Sequence, residues 1–475
     1  MTQRAVSRIQ AYAWYLMIAL LPVTSMPLVS RLLGSDSVAS PAILFLFLFC
    51  AAWFASGLVQ RIKINRNIFG LVLFSLAAIL ASVISLFYEF PLFKDQSAIR
   101  PMISSAATLV IGVLFFAAAS SYPGRSDIRE KTFRIINLSG LVILIWCATQ
   151  AISWYLNNGY PEWMFNFQGL LSQRVLYRQR VTGFTLEPSW LAHQLNLLYL
   201  PFWVASSLTM HSSHRFRLLG LSLENLLLVG GVMSLGLTLS RVGFAAFFMA
   251  LLVAVIYIHA KMVNLIRHWI NRKFPERKPI RTLWISSFFI AVYILLLISV
   301  VLIYSRVDPR MANLLSFDFS GDNPLLSYFN ELKFGDRVIY WLTGWNIFND
   351  YPVLGVGLGN AGFFFTEKIP SFGWSLVEVR ALMYRSTLLL NIKNLWVRLL
   401  AETGIIGFSL FIGWLVSLIP ELVNKFKSGN QTMKMLALMG FMALAAMLFE
   451  GFSIDSFAMP YWWISLGLAV SSNKA

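Results

Sequence analysis

Apolar runs recur along this chain at intervals of 20 to 30 residues, parted by short polar breaks, and only 305–393 stays polar for longer. Crossing about 30 Å of hydrocarbon takes roughly 20 residues of helix, and backbone polar groups there must be satisfied within the span. The runs predict twelve transmembrane helices, near 11–30, 41–60, 68–88, 101–119, 135–155, 187–209, 218–239, 241–260, 282–304, 394–419, 435–451 and 457–472. Two boundaries are narrow: Ser240-Arg241 needs a tight turn, and 451–460 alone parts the last pair. Arg4 and Arg8 precede an apolar run that is long and lacks a small-residue cleavage site, so it reads as a retained first helix. Residues 1–475 thus form one all-α polytopic membrane domain, with helices over about 11–304 and 394–472. The loop 305–393 is inserted between the ninth and tenth helices.

A hydrophobic share of 58%, a charged share of 12% and a mean hydropathy of +0.68 exclude an ordinary soluble domain. A net charge of +17 would point to nucleic acid in a soluble protein, so its placement decides its meaning. With both termini inside, the cytoplasmic segments carry 22 of the 38 basic residues and five of the 21 acids, which is the whole net charge. That is a positive-inside signature, and nucleic acid is excluded as a partner.

Cys50 and Cys147 fall in predicted helices, so no disulfide framework or thiolate metal site is expected. The histidines (His193, His211, His214, His259 and His268) sit in predicted spans or cytoplasmic loops, leaving the long loop without one. A His-bound metal there is ruled out, and no cytoplasmic Asp pair is spaced for a metal–nucleotide complex. No metal and no cofactor are expected.

Arginines on the outer side are the candidate chemistry. Arg174, Arg178 and Arg180 precede one helix, Arg241 heads another, and Arg398 lies just inside the tenth. The loop adds Arg306, Arg310, Lys333, Arg337, Lys368, Arg380, Arg385 and Lys393, balanced by eight acids. A cation toward the membrane centre costs about 2.5–3.5 kcal/mol on insertion scales, so these residues need compensation. Ion pairs with the loop's acids would supply it, and so would an anionic ligand, whose phosphates suit the bidentate arginine fork.

Within the loop, Phe334, Val338, Leu342, Trp345 and Phe348 recur at helical spacing, predicting an interfacial amphipathic helix over 331–349 with Arg337 at the margin of its apolar face. Gly357, Gly359 and Gly362 form a GxGxxG without the βαβ unit a dinucleotide site requires, and read instead as a tight re-entry of the backbone. Asn394, Arg398 and Glu402 follow at i, i+4 and i+8 on one helix face. An intrahelical ion pair and a phosphate clamp both fit that face.

The order Arg180-Val-Thr-Gly-Phe-Thr-Leu-Glu187-Pro-Ser-Trp-Leu-Ala, then Ser240-Arg241-Val-Gly243, then Arg337 followed by Pro352-Val-Leu-Gly-Val-Gly, then 394–407, resembles the O-antigen ligase and Wzy-type polymerase superfamily. The resemblance covers roughly 180–407. It implies a GT-C-like fold and a metal-independent glycosyltransferase of the bacterial inner membrane, working at the periplasmic face on undecaprenyl-pyrophosphate-linked glycan donor and acceptor. By position, Arg241 and Arg337 resemble the arginines assigned to the pyrophosphate, with Arg180, Lys393, Asn394, Arg398 and Glu402 as further substrate-binding candidates. Ligases of the superfamily carry a histidine followed by Asn, Ser or Gln, nine residues and a Gly-x-x-Gly-like end. Here Lys393-Asn394, nine residues and Gly404-Ile-Ile-Gly407 fit that frame with lysine in the histidine's place.

A protonated lysine is no base but can neutralise pyrophosphate, which favours polymerisation of repeat units over ligation to lipid A core. Glu187, at the outer mouth of a helix, is the first candidate for the general base, and Glu402 the second. A chain-length regulator is kept as a candidate partner. A transporter or flippase is the alternative of another class; the chain shows no repeated halves or paired broken helices, and transport would not require so long a loop.

Overall fold

The computed structural model describes residues 3–34, 39–57, 64–93, 95–273, 282–307, 335–386 and 389–472. Arg310, Lys333 and the expected helix start at 331–334 lie outside them. Besides the single turn Phe365–Lys368, the α-helices among the described residues are α1 Gln3–Ala19, α2 Pro27–Leu33, α3 Ala42–Gly57, α4 Ile68–Ser85, α5 Ile99–Ser121, α6 Ser126–Asn157, α7 Glu162–Leu171, α8 Pro188–Gln194, α9 Leu200–Thr209, α10 Leu223–Leu237, α11 Arg241–Lys273, α12 Thr282–Val307, α13 Gly335–Asp350, α14 Val377–Arg385, α15 Leu395–Lys427, α16 Gln431–Glu450 and α17 Pro460–Val470. Among the described residues the strands are one two-stranded hairpin, Arg217–Leu218 with Leu221–Ser222.

Among the described residues seven helices (α4, α5, α6, α11, α12, α15 and α16) are long and apolar enough to cross a membrane, and α3 and α10 are shorter apolar helices. The protein is an all-α, multi-pass membrane protein. The first expected span divides instead into α1 and the short α2. The sixth is α8 and α9 joined through a π-turn at Leu195–Tyr199. Pro201 lacks an N–H and its ring crowds the carbonyl of Leu197, and the widened turn just upstream accommodates that defect.

Packing brings sequence-distant helices together: α17 lies on α5, α15 on α4, and α16 on both α9 and α11. Their shared core is rich in fully buried aromatic rings, among them Trp14, Trp203, Trp414, Trp462 and Trp463. The described part of the long loop carries a second apolar cluster, including Ile339, Tyr340, Ile347, Val356, Phe363, Phe365, Val379 and Ile392. It is therefore a folded cap.

The helix expected over 331–349 appears as α13, with a different inward face. Ile339, Tyr340, Thr343 and Ile347 are buried, whereas Leu342 and Trp345, expected on the apolar face, are exposed. Both sides of α13 carry apolar residues, one packing into the cap and the other exposed.

The glycine-rich segment enters a break in α15. Gly404 has φ 62° and ψ −169°, so α15 is interrupted there and the carbonyls of Ala401 and Glu402 lose their helical partners. Val356 N–H donates to Ala401 O and Gly357 N–H to Glu402 O, both at 2.9 Å, while Ile405 N–H donates to Pro352 O at 2.8 Å. Gly355 also has positive φ, and a Cβ there would meet the Glu402 backbone. A Cβ on Gly404 would fall onto the Val353 carbonyl. Gly404→Ala is expected to destabilise the protein by about 2–4 kcal/mol, from the left-handed backbone and the clash together. A melting temperature in detergent equal to wild type would refute this account of the break.

Candidate active site

At the loop-covered end of the bundle lies a cavity of about 720 Å³. Its walls come from α5 (Pro101, Ser104, Ser105, Thr108), the entry to α8 (Arg174, Glu187, Ser189, Trp190, His193), α13 and α14 (Arg337, Tyr340, Glu378), and Lys393, Arg398 and Glu402. Residues 453–457 with Met459 and Tyr461 close it. Four cations and four acids share the space with one histidine.

Each element aims its residue for a local reason. Asn394 caps α15, its Oδ1 accepting from Trp396 N–H at 2.9 Å and Val397 N–H at 3.2 Å, so Arg398 and Glu402 follow on one face of the first turns. Arg398 Nε donates to Glu402 Oε2 at 2.9 Å and its Nη2 to Ser105 Oγ at 3.1 Å, and Nη1 donates to Asp455 O. Lys393 stands at φ 52°, its backbone N–H on Asp455 Oδ2 at 3.0 Å. Its ammonium pairs with Glu378 and lies 4.4 Å from the Tyr340 ring centroid. Arg174 pairs with Glu187.

Arg337 differs from these three. Its Nη1 donates to Ser453 Oγ at 3.0 Å, and among the described residues it makes no ion pair. Burial pushes its guanidinium below the ordinary arginine value, while the more distant charges of Asp455, Glu378 and Glu187 pull it back up. An arginine keeps its charge through such a shift, so a half-buried cation faces the cavity with no carboxylate against it.

Of the residues expected from sequence, the structure gathers Glu187, Arg337, Lys393, Arg398 and Glu402 around one space. Asn394, buried as the α15 cap, does not line it, and neither do Arg180 and Arg241. Arg180 Nε donates to Thr238 O at 2.7 Å, tying the approach to α8 to the end of α10. Arg241 opens α11, beyond the tight turn at Leu239 (φ 49°). Glu187 has both carboxylate oxygens engaged, Oε1 by Arg174 and Oε2 by the Ser189 hydroxyl at 3.4 Å.

Sequence reasoning missed the turn after α16 and the histidine facing it. Ser453 holds Arg337 and Asp455 holds both Lys393 and Arg398, so the short break between the last two spans organises the cationic wall. His193, set aside as a residue of a span, lines the cavity. Glu450, an acid ending an apolar helix, was the available signal, because an ionisable group at such a position is costly unless it has a partner.

A helical bundle with a folded cap over a cavity lined by cations and acids defines a multi-pass membrane protein with a charged site. Residues 226–412, from within α10 to the middle of α15, match the family model described as O-antigen ligase (Wzy_C). The match includes Arg337, Lys393, Arg398 and Glu402, and Arg174, Glu187 and His193 lie before it. No curated protein matches the chain.

Proposed function

We propose that this protein joins polyprenyl-pyrophosphate-linked oligosaccharide repeat units at the periplasmic face of the bacterial inner membrane, releasing polyprenyl pyrophosphate. The observation that carries this reading is Arg337, a half-buried cation that makes no ion pair among the described residues and lines one cavity with Lys393 and Arg398. An acceptor hydroxyl attacks the anomeric carbon of the donor glycan, and the bond from that carbon to the diphosphate oxygen breaks. Diphosphate is already a competent leaving group, so the protein's main task is to stabilise the charge that grows on it. Arg337 meets that charge directly. Arg174, Lys393 and Arg398, neutralised in the resting cavity by Glu187, Glu378 and Glu402, supply further donors. Of the two arginines carried over by resemblance, only Arg337 is proposed to contact the diphosphate, because Arg241 lies outside the cavity lining.

The family description favours a second reading, ligation of finished glycan to lipid A core. Lys393 in the histidine's position speaks for polymerisation. Purified protein in detergent, given lipid-linked repeat units alone, is expected to lengthen them. A deletion strain is expected to accumulate single repeats on the carrier; complete polymer there would establish the ligase instead. Lys393→Ala should lower transfer by about 10–100-fold, a loss of the order of one charge-assisted contact, without lowering the amount of protein in the membrane. Wild-type chain lengths in that variant would remove Lys393 from the site.

A further inference from the structure

Beneath the cationic wall, His193 and Glu450 meet across 257 residues of sequence, both side chains almost wholly enclosed. His193 Nδ1 is hydrogen-bonded to Glu450 Oε2, and Asn196 Nδ2 donates to Glu450 Oε1 at 2.7 Å, so each carboxylate oxygen is engaged. Asn196 is itself braced by donating to Gly243 O at 2.7 Å, which locks the dyad to the first turn of α11. A carboxylate has no proton to give, so Nδ1 carries the hydrogen and the lone pair rests on Nε2. No hydrogen bond to Nε2 is made among the described residues, and His193 lines the cavity. A second observation concerns the same cavity. The hydroxyl of Tyr461, a residue that also lines the cavity, is buried and has no hydrogen-bond partner among the described residues.

From this geometry we infer that His193 is the general base of glycosyl transfer, that Glu450 positions it, and that Tyr461 holds the acceptor sugar. The inference rests on the proposed glycosyl transfer. The acceptor O–H bond breaks as its oxygen bonds to the anomeric carbon, and the proton passes to His193 Nε2. The electron pair of the broken anomeric C–O bond leaves with the diphosphate toward Arg337. The imidazolium formed lies against the Glu450 carboxylate, which stabilises it without taking the proton. The turn from Glu450 to Asp455 joins the two halves of the reaction: its first residue orients the base, and Ser453 holds the arginine facing the leaving group. Glu187 and Glu402, the carboxylates expected for the base, are each engaged by an arginine instead.

The test uses full-length protein in detergent with lipid-linked repeat units extracted from the deletion strain. His193→Gln keeps a polar group near Glu450 but offers no base. It is expected to lower kcat by on the order of 10²–10⁴-fold with KM for the lipid-linked donor unchanged. In His193→Ala, added imidazole is expected to restore turnover. Glu450→Gln should lower kcat, again at unchanged KM, and imidazole should not rescue it. His193→Gln with wild-type kcat, while Arg337→Ala is inactive, would overturn the assignment of the base and leave the transferase reading standing. A wild-type protein that joins no repeats would overturn both.

Discussion

Arg337→Ala is expected to cut transfer of repeat units by on the order of 10²–10³-fold while leaving the protein folded in the membrane, because the guanidinium faces charge that develops as the diphosphate leaves. The size follows from its surroundings. Among the described residues Arg337 bonds to Ser453 and to no carboxylate, so its removal strands no acid of theirs and opens no ion pair. Its stability cost is small beside its catalytic cost. Lysine at this position should recover only part of the activity, since an ammonium supplies charge without the planar fork. The readout is chain length on the lipid carrier together with initial rate in detergent. Wild-type polymer from Arg337→Ala, with protein levels unchanged, would take the diphosphate site away from this cavity.

Glu402→Ala should be damaging for the opposite reason, through folding. Glu402 and Arg398 are deeply buried and bonded to each other at 2.9 Å, next to the break in α15 at Gly404. Removing one partner leaves an uncompensated charge, which costs about 3–5 kcal/mol, whereas replacing both by apolar residues of similar volume is often neutral. Glu402→Ala is therefore expected to lose most folded protein. Arg398→Met combined with Glu402→Leu is expected to recover the melting temperature and to remain impaired in transfer, because the double variant lacks a cavity cation. A folded and fully active double variant would reduce the pair to a structural device. A single Glu402→Ala as stable as wild type would show that the charge finds solvent or another partner.

Much of the site was legible because it is local. The stripe of Asn394, Arg398 and Glu402 follows from a helical period, and the structure places the three in sequence on the first turns of α15 with Asn394 as the cap. The glycine-rich segment was legible as a tight re-entry, although the place it enters was not, since a backbone break at Gly404 looks in sequence like any glycine in an apolar run. The interfacial helix was legible as a helix and mistaken in its phase. With apolar residues on both sides of α13, periodicity cannot say which side a cap will cover. Histidine was the costliest omission: its absence from the long loop was read as its absence from the site, yet His193 enters from the bundle below.

By itself the sequence determined the membrane class, the helical character of the spans and the lysine in the histidine frame, because each is set by composition or by neighbours within a few turns. Only the tertiary structure decided which charges meet. Packing of α16 beside α9 and α11, and of α13 on α15, joins His193 to Glu450 and Arg337 to Ser453 across 257 and 116 residues. Pairings at such separations depend on how helices stack, and a pattern that repeats every few residues carries no record of them.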